Sequence, residues 1–291
     1  MPTVAQAFEQ FMKSLELHEG EDREAKRQER NVFEVMRREL GPRESILSGS
    51  YGRKTAIRPL HDIDLFLIFT AGGSGKAESA EEFLLRVKRA LEKSFPGKQA
   101  RLQNRSVNIE FTGTGIGFDV VPALEDPRQP GVYWIPDQRQ GKWIQSNPRK
   151  HIEVCDAANS KAMQRLKPLI KAIKRWNQLQ GKPVPSFLLE VMSYEGIASF
   201  HPDSRLSVYA QGLAHLFEFM SARILNEWRE PAGLGPPVNA GVGEGHLQQG
   251  QQRLAGATRK ATRALELERQ GDMPGANALW RELLSTDYPV R

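Results

Sequence analysis

The apolar and polar residues of this chain follow different patterns in its two halves. In the first half, apolar residues at helical spacing predict one or two helices over residues 3–40 and another over 80–94. Short apolar or alternating runs predict strands at residues 45–47, 62–69, 106–111 and 116–121. The first half is therefore expected to form a small mixed sheet with helices on one side.

The second half, from Asn159 onward, has the apolar spacing of helices. We predict these helices at residues 161–180, 186–199, 206–229, 250–270 and 274–285. Segments rich in glycine and proline predict loops at 71–75, 126–150 and 231–250. A mixed sheet followed by helices is an α+β architecture, and the change of pattern places a domain boundary near residue 155.

Two carboxylates lie on one face of the predicted strand 62–69. Side chains alternate between faces along a strand, so Asp62 and Asp64 point one way while Ile63 and Leu65 point into a core. Parallel carboxylates repel each other, but they are the hard oxygen ligands that divalent cations prefer. This pair is a candidate metal site.

A Gly-Ser turn precedes these carboxylates. Gly49 and Ser50 lead into a short predicted helix over 51–55. Backbone N–H groups and a hydroxyl at a helix N-terminus are suited to binding a phosphate. A phosphate-binding turn beside metal-binding carboxylates indicates nucleotidyl transfer.

A third carboxylate, Asp119, lies between the apolar residues Phe118 and Val120 on the strand 116–121. If that strand pairs with 62–69, three carboxylates converge, as two-metal phosphoryl transfer requires. Asp62 and Asp64 would then bridge both ions. Asp119 would bind the ion that activates a ribose hydroxyl and would act as its base. The alternative is an exposed acidic strand edge beside an unrelated turn.

Composition narrows the class of protein only slightly. The 291 residues carry a net charge of +6 with a pI near 9.4, which suits an anionic ligand but does not separate a nucleotide enzyme from a nucleic-acid binder. No apolar run reaches the roughly 18 residues of a membrane helix. The single cysteine, Cys155, excludes an internal disulfide and favours the cytosol.

The motif residues together resemble a known superfamily. Gly49-Ser50, Asp62-x-Asp64 and Asp119 are similar to the signature of the DNA polymerase beta-like nucleotidyltransferases. The wider segment 49–65 resembles the CD-NTases, the bacterial relatives of cyclic GMP-AMP synthase and 2′-5′-oligoadenylate synthetase. The segments 118–123, 143–148 and 278–280 share that resemblance.

The resemblance implies a polymerase-beta-like catalytic domain over 1–155, including the N-terminal helices, and a helical, oligoadenylate-synthetase-like domain over 156–291. It implies synthesis of a cyclic di- or trinucleotide second messenger from nucleoside triphosphates in anti-phage (CBASS) signalling. The cofactor would be Mg²⁺, which Mn²⁺ could replace. The expected partners are a product-activated effector protein encoded nearby and regulatory proteins. We expect a cytoplasmic enzyme with no membrane association and no stable nucleic-acid partner.

Three further residues are candidates for the triphosphate site. Lys171 and Lys174 follow Lys167 in a basic row on the helix 161–180, which from spacing alone is a solvated lysine face. With the resemblance, Lys171 and Lys174 are expected to bind the triphosphate. Ser186 is either the N-cap of the next helix or a hydroxyl close to the phosphates.

Two other functions stay open at this point because fold alone does not give function. The first is a related nucleotidyltransferase that modifies RNA, a protein or a small molecule. It would need a platform for its acceptor, and none is evident in the sequence. The second is a non-catalytic nucleic-acid sensor with the same fold, against which the intact set of three acids counts.

Overall fold

The computed structural model describes residues 2–70, 78–111, 113, 115–285 and 287–289. The predicted loop at 71–75 lies outside the described residues. The chain forms two compact units. The sheet unit comprises residues 17–153 and 232–235, and the helical unit comprises residues 1–16, 154–231 and 236–291.

The described strands are, in chain order, β1 (Glu44–Leu47), β2 (Asp62–Phe69), β3 (Arg101–Leu102), β4 (Val107–Phe111), β5 (Ile116–Glu125), β6 (Tyr133–Asp137) and β7 (Lys142–Ser146). The described α-helices are α1 (Val4–Ser14), α2 (Glu19–Leu40), α3 (Gly49–Gly52), α4 (Ala80–Ser94), α5 (Pro148–Lys161), α6 (Leu166–Leu179), α7 (Ser186–Gly196), α8 (Val208–Arg223), α9 (Glu244–Arg269) and α10 (Met273–Leu284). A short 3₁₀ helix, Ile197–Ser199, follows α7.

The sheet is mixed, with the order β1-β2-β5-β4-β3. β2 and β5 are parallel neighbours, whereas β1 pairs antiparallel with β2, and β4 pairs antiparallel with β5. A parallel pair needs a long crossover connection, and here the chain passes through α4, β3 and β4 before it returns as β5. The two central strands therefore bring together residues that are far apart in the sequence.

One core of the sheet unit lies between β2, β4, β5 and the helices α2 and α4. Alternate residues of β2, including Ile63, Leu65 and Leu67, are fully buried there. Val32 of α2 and Phe83 of α4 belong to the same cluster. The apolar side of β2 is thus held rigidly, which fixes the direction of the acidic residues that alternate with it.

Two predicted loops contain regular structure. The segment 126–150 includes the antiparallel hairpin β6–β7, in which Tyr133 and Ile135 are buried. Its glycines and prolines dominate the composition and hide this short alternation. The segment 231–250 contains the start of α9, where Leu247, Gly250 and Leu254 are buried at helical spacing. A Cβ on Gly250 would lie 2.9 Å from Val184, so this glycine is needed for close packing.

The N-terminal helix α1 belongs to the helical unit. The resemblance implies a different grouping, in which the N-terminal helices are part of the catalytic domain over 1–155. Thr3 begins α1 with a capping box. Phe8 packs edge-on against Trp280, with 4.9 Å between ring centroids, and against Tyr288 at 5.2 Å. The N-terminal residues are therefore part of the same core as the C-terminal helix. Among the helices that are described, none has the length and apolar character needed to span a bilayer.

Candidate active site

The register of the two central strands brings the three predicted acids to one region. Asp64 of β2 lies directly opposite Asp119 of β5, and Asp62 lies opposite Gly117. Because the strands are parallel neighbours, side chains at paired positions share a face of the sheet. The strand pairing on which the three-acid hypothesis depended is confirmed.

Asp119 is half-buried and hydrogen-bonded. Its Oδ1 accepts a hydrogen bond from Nδ2 of Asn108, at 2.8 Å. Burial raises the pKa of the Asp119 carboxyl, and the charge of Asp62 raises it further, while the hydrogen bond from Asn108 opposes this shift. Burial is the larger of the two causes that raise the pKa, and the contribution of Asp62 reflects a second acid close to Asp119.

The Gly-Ser turn lies against Asp64. Gly49 has a left-handed backbone with φ of +58°, and a Cβ placed on it would lie 1.6 Å from Oδ2 of Asp64. The backbone N–H of Ser48 donates to the carbonyl of Asp64, at 2.8 Å. Only glycine permits both this φ and this close approach.

Ser50 has a hydroxyl that makes no hydrogen bond within the part of the chain that the structure describes. Its backbone carbonyl accepts N–H groups from Thr55 and Ala56, at 2.8 and 3.0 Å, and these bonds fix the turn. Helix α3 spans one turn from Gly49, two residues earlier than predicted. The structure thus places a fixed turn with an available hydroxyl next to the acids.

The acids fit a divalent metal by chemistry, but not in their present rotamers. Within the described residues, no three acidic, histidine or cysteine side chains are gathered closely enough to hold an ion. Asp64 lies against Gly49, and Asp119 is bonded to Asn108. Their backbones occupy paired positions of the neighbouring strands β2 and β5. Three carboxylates are a suitable ligand set for Mg²⁺.

Lys171 and Lys174 of α6 are buried, so their interpretation as a solvated lysine face is wrong. Nζ of Lys171 lies 2.5 Å from Oε2 of Glu16, and Nζ of Lys174 lies 2.6 Å from Oε1 of Glu190. The Glu190 side chain is only 1% exposed. Both lysines belong to the helical unit, and their binding of a triphosphate stays a prediction.

The Lys174–Glu190 pair is expected to contribute to stability. Lys174→Ala should lower the free energy of unfolding by about 3–5 kcal/mol, because it removes the cation that lies 2.6 Å from the buried Glu190 carboxylate. Lys171→Ala should cost well under about 1 kcal/mol, because Glu16 is half exposed. Urea titrations of both variants measure the difference. Equal losses would show that burial of Glu190 does not decide the effect.

Ser186 is the first residue of α7, and the N-cap is Pro185. The prediction that Ser186 caps this helix is therefore wrong. Its side chain is exposed and makes no hydrogen bond with a described residue. The second interpretation, a hydroxyl close to phosphates, stays a prediction.

Sequence reasoning missed Asn108, whose amide donates to Asp119. Asn108 occupies a polar position of an alternating strand, where an exposed side chain is the ordinary expectation. Its role depends on the β4–β5 register, in which Asn108 pairs with Asp119. A partial signal was available, since an amide on a neighbouring strand is a natural partner for a lone strand acid.

This arrangement matches one class of protein. The mixed sheet carries two acids one residue apart, a third acid on the parallel neighbour and a glycine turn against them, which is the arrangement predicted for a nucleotidyltransferase. The chain belongs to the family described as the Second Messenger Oligonucleotide or Dinucleotide Synthetase (SMODS) domain, which matches residues 1–159. The predictions of the family, the α+β fold class and the enzyme class are confirmed. Members of this family generally depend on a divalent metal.

Individual relatives agree with this assignment. The chain is 28% identical over 280 residues to a probable cyclic nucleotide synthase of Bacillus cereus strain VD146, covering 85% of this chain and 82% of the relative. It shares the fold of Vibrio cholerae DncV, a cyclic AMP-GMP synthase solved with a linear intermediate, at a TM-score of 0.77 with 12% identity and coverage of 99% and 97%. It also shares the fold of Escherichia coli MS115-1 CdnC, solved in complex with HORMA-deltaN, at a TM-score of 0.76 with 17% identity and 98% coverage of both chains.

Proposed function

We propose that this protein joins nucleoside triphosphates and closes them into a cyclic di- or trinucleotide second messenger. The observation that carries the proposal is the pairing of Asp64 with Asp119 on adjacent parallel strands, with Gly49 against Asp64. A surface cluster of acids would not explain a glycine turn packed onto one of them. The SMODS family match supports the class of product.

The residues have distinct roles in this proposal. Asp62, Asp64 and Asp119 hold Mg²⁺ or Mn²⁺, which when bound supplies charge stabilisation for phosphoryl transfer. The backbone of Gly49 and the hydroxyl of Ser50 bind the triphosphate. The other proposed triphosphate ligands are three residues of the helical unit, Lys171, Lys174 and Ser186.

The proposed reaction is a displacement of pyrophosphate that takes place more than once at the same set of residues. A ribose hydroxyl attacks the α-phosphorus of a second triphosphate, so that an oxygen–phosphorus bond forms as the bond to pyrophosphate breaks. The Asp119 carboxylate accepts the hydroxyl proton. Release and rebinding of the linear product present its own free hydroxyl to its own triphosphate, and a further displacement closes the ring. Both steps use the same in-line geometry, so one site suffices.

The partners that we propose are inferred from the proposed cyclic product. We propose a cytoplasmic enzyme whose cyclic product activates a nearby-encoded effector in anti-phage defence, as the resemblance of residues 49–65 to the CD-NTases implies. The HORMA-deltaN complex of Escherichia coli MS115-1 CdnC supports regulation by a protein partner.

The product tests the proposal directly. We expect purified protein with Mg²⁺ or Mn²⁺ and the four nucleoside triphosphates to release a labelled product that resists phosphatase, because a ring has no terminal phosphate. Mass spectrometry of that product then gives the ring size and the bases.

Three outcomes would contradict this expectation. Label that phosphatase removes completely would show that no phosphodiester bond has formed, because phosphatase removes only terminal phosphates. A product with the mass of a linear oligonucleotide would show that the ring does not close. Label found only on added RNA or protein would favour a transferase that modifies a macromolecule. Heat-treated protein and a metal-free reaction are the controls.

A further inference from the structure

The carboxamide of Asn108 is buried beside Asp119, at the centre of the sheet. Asn108 is 7% exposed, and its strand neighbours Val107 and Ile109 are fully buried. A buried amide carries a desolvation cost unless it is hydrogen-bonded. Its partner is the Asp119 carboxylate, at 2.8 Å across the β4–β5 ladder. This buried polar side chain thus serves one of the proposed metal ligands.

The Asn108 amide also lies close to Asp62, because Gly117 has no side chain to fill the space between them. A Cβ on Gly117 would lie 2.9 Å from Oδ1 of Asp62 and 3.3 Å from Nδ2 of Asn108. Both groups therefore border the space that the missing side chain leaves. Asn108 lies next to two of the three acids, on the face of the sheet that carries the proposed site.

Gln103 holds the turn that leads into β4, the strand that carries Asn108. The hydroxyl of Ser106 donates to Oε1 of Gln103, at 2.8 Å, and the backbone N–H of Gln103 donates to the carbonyl of Ser106, at 2.9 Å. These two bonds lock the turn between β3 and β4, two residues before Asn108.

We propose that Asn108 is a positioning residue that holds the Asp119 carboxylate in place for metal binding and for the displacement reaction. This inference rests on the proposed function. Three like charges at adjacent positions repel one another, and the Asn108 amide donor gives the third carboxylate a defined orientation despite that repulsion. Groups that hydrogen-bond to a metal ligand typically change metal affinity or activity by about 10–100-fold when removed.

The test compares Asn108→Leu, which keeps the size of the side chain and removes its donor, with wild type. The first readout is Mn²⁺ affinity, measured on the nucleotide-free protein by electron paramagnetic resonance of free Mn²⁺. The second is kcat and KM for the triphosphates at saturating Mn²⁺. We expect Mn²⁺ binding to weaken by about 10–100-fold and kcat to fall, with KM changed by less than about threefold. A merely structural role would not lower Mn²⁺ affinity in the folded fraction.

The matched control is Asn277→Leu, which removes another buried amide. Asn277 bonds the carbonyl of Pro2 and the hydroxyl of Tyr288 within the helical unit. It should lose stability yet keep the Mn²⁺ affinity of wild type. If Asn108→Leu does not fold, Asn108→Ser replaces it, because it also removes the amide donor.

The outcomes separate this inference from the proposed function. Asp119→Asn must weaken Mn²⁺ binding if the acids form the metal site, and an unchanged affinity in that variant would overturn the site itself. If Asp119→Asn weakens Mn²⁺ binding while the folded Asn108 variant keeps wild-type affinity and kcat, the assignment of the acids holds and the positioning role is wrong. Weakened Mn²⁺ binding in the Asn108 variant, but not in Asn277→Leu, supports the inference.

Discussion

Asp62→Asn is expected to reduce turnover by about a thousandfold or more and to leave the melting temperature unchanged or raised. A loss of that size corresponds to about 4 kcal/mol of transition-state stabilisation. Asp62 is exposed and makes no ion pair or hydrogen bond with the described residues, so its removal breaks no structural contact. It also removes one of the charges that raise the pKa of Asp119. Labelled-nucleotide incorporation and a thermal melt of the same preparation measure both effects.

The control for this variant is Glu125→Gln, at the far end of β5. Glu125 pairs with Arg43 at 3.1 Å, outside the proposed site. It should keep wild-type turnover. Wild-type activity in Asp62→Asn, or in Asp62→Ala combined with Asp64→Ala, would show that these acids do not carry the chemistry.

Gly49→Ala is expected to lower activity by about a hundredfold or more, as a displacement of about 1 Å in a catalytic group can do. The new methyl group would lie 1.6 Å from Oδ2 of Asp64, so that carboxylate must move. The left-handed φ of +58° adds backbone strain of about 1–2 kcal/mol for a residue with a side chain. Strain and collision act on the same position, so a control must separate them.

Gly41→Ala is that control. Gly41 also has a left-handed backbone, with φ of +71°, but a Cβ there meets no atom within 4 Å. Both variants should lose similar stability from strain, whereas only Gly49→Ala should lose activity. Chemical denaturation and steady-state kinetics of the two proteins give the comparison. Equal activity of the two variants would show that contact with Asp64 is not needed for turnover.

The local parts of the site could be predicted from the sequence. The bounds of β2 and the shared face of Asp62 and Asp64 follow from residues within one strand. The neighbours of Asp119 and of the lysines could not be predicted in this way. Asn108 contacts Asp119 only because β4 pairs with β5 in one register. Lys171 is neutralised by Glu16, which is remote in the sequence, so spacing along α6 gave no sign of it.

The same limit explains the hairpin β6–β7. Its short strands follow glycines and prolines that are typical of loops. The hairpin is stabilised by the pairing of β6 with the end of β5, which cannot be read from the local sequence. The start of α9 was missed because Leu247 is the one apolar side chain in residues 244–250, and the buried Gly250 carries little apolar signal. Tertiary contacts decide such segments more than local propensity does.

The parallel pairing of β2 with β5 has a consequence during protein synthesis. A ribosome makes the Gly-Ser turn and the first two acids well before Asp119, and the parallel partner cannot join until α4, β3 and β4 have been made. A nascent or prematurely terminated chain that ends before β5 therefore lacks the third of the three acids proposed as the catalytic site. Under the proposed function, such unfinished chains would make no second messenger.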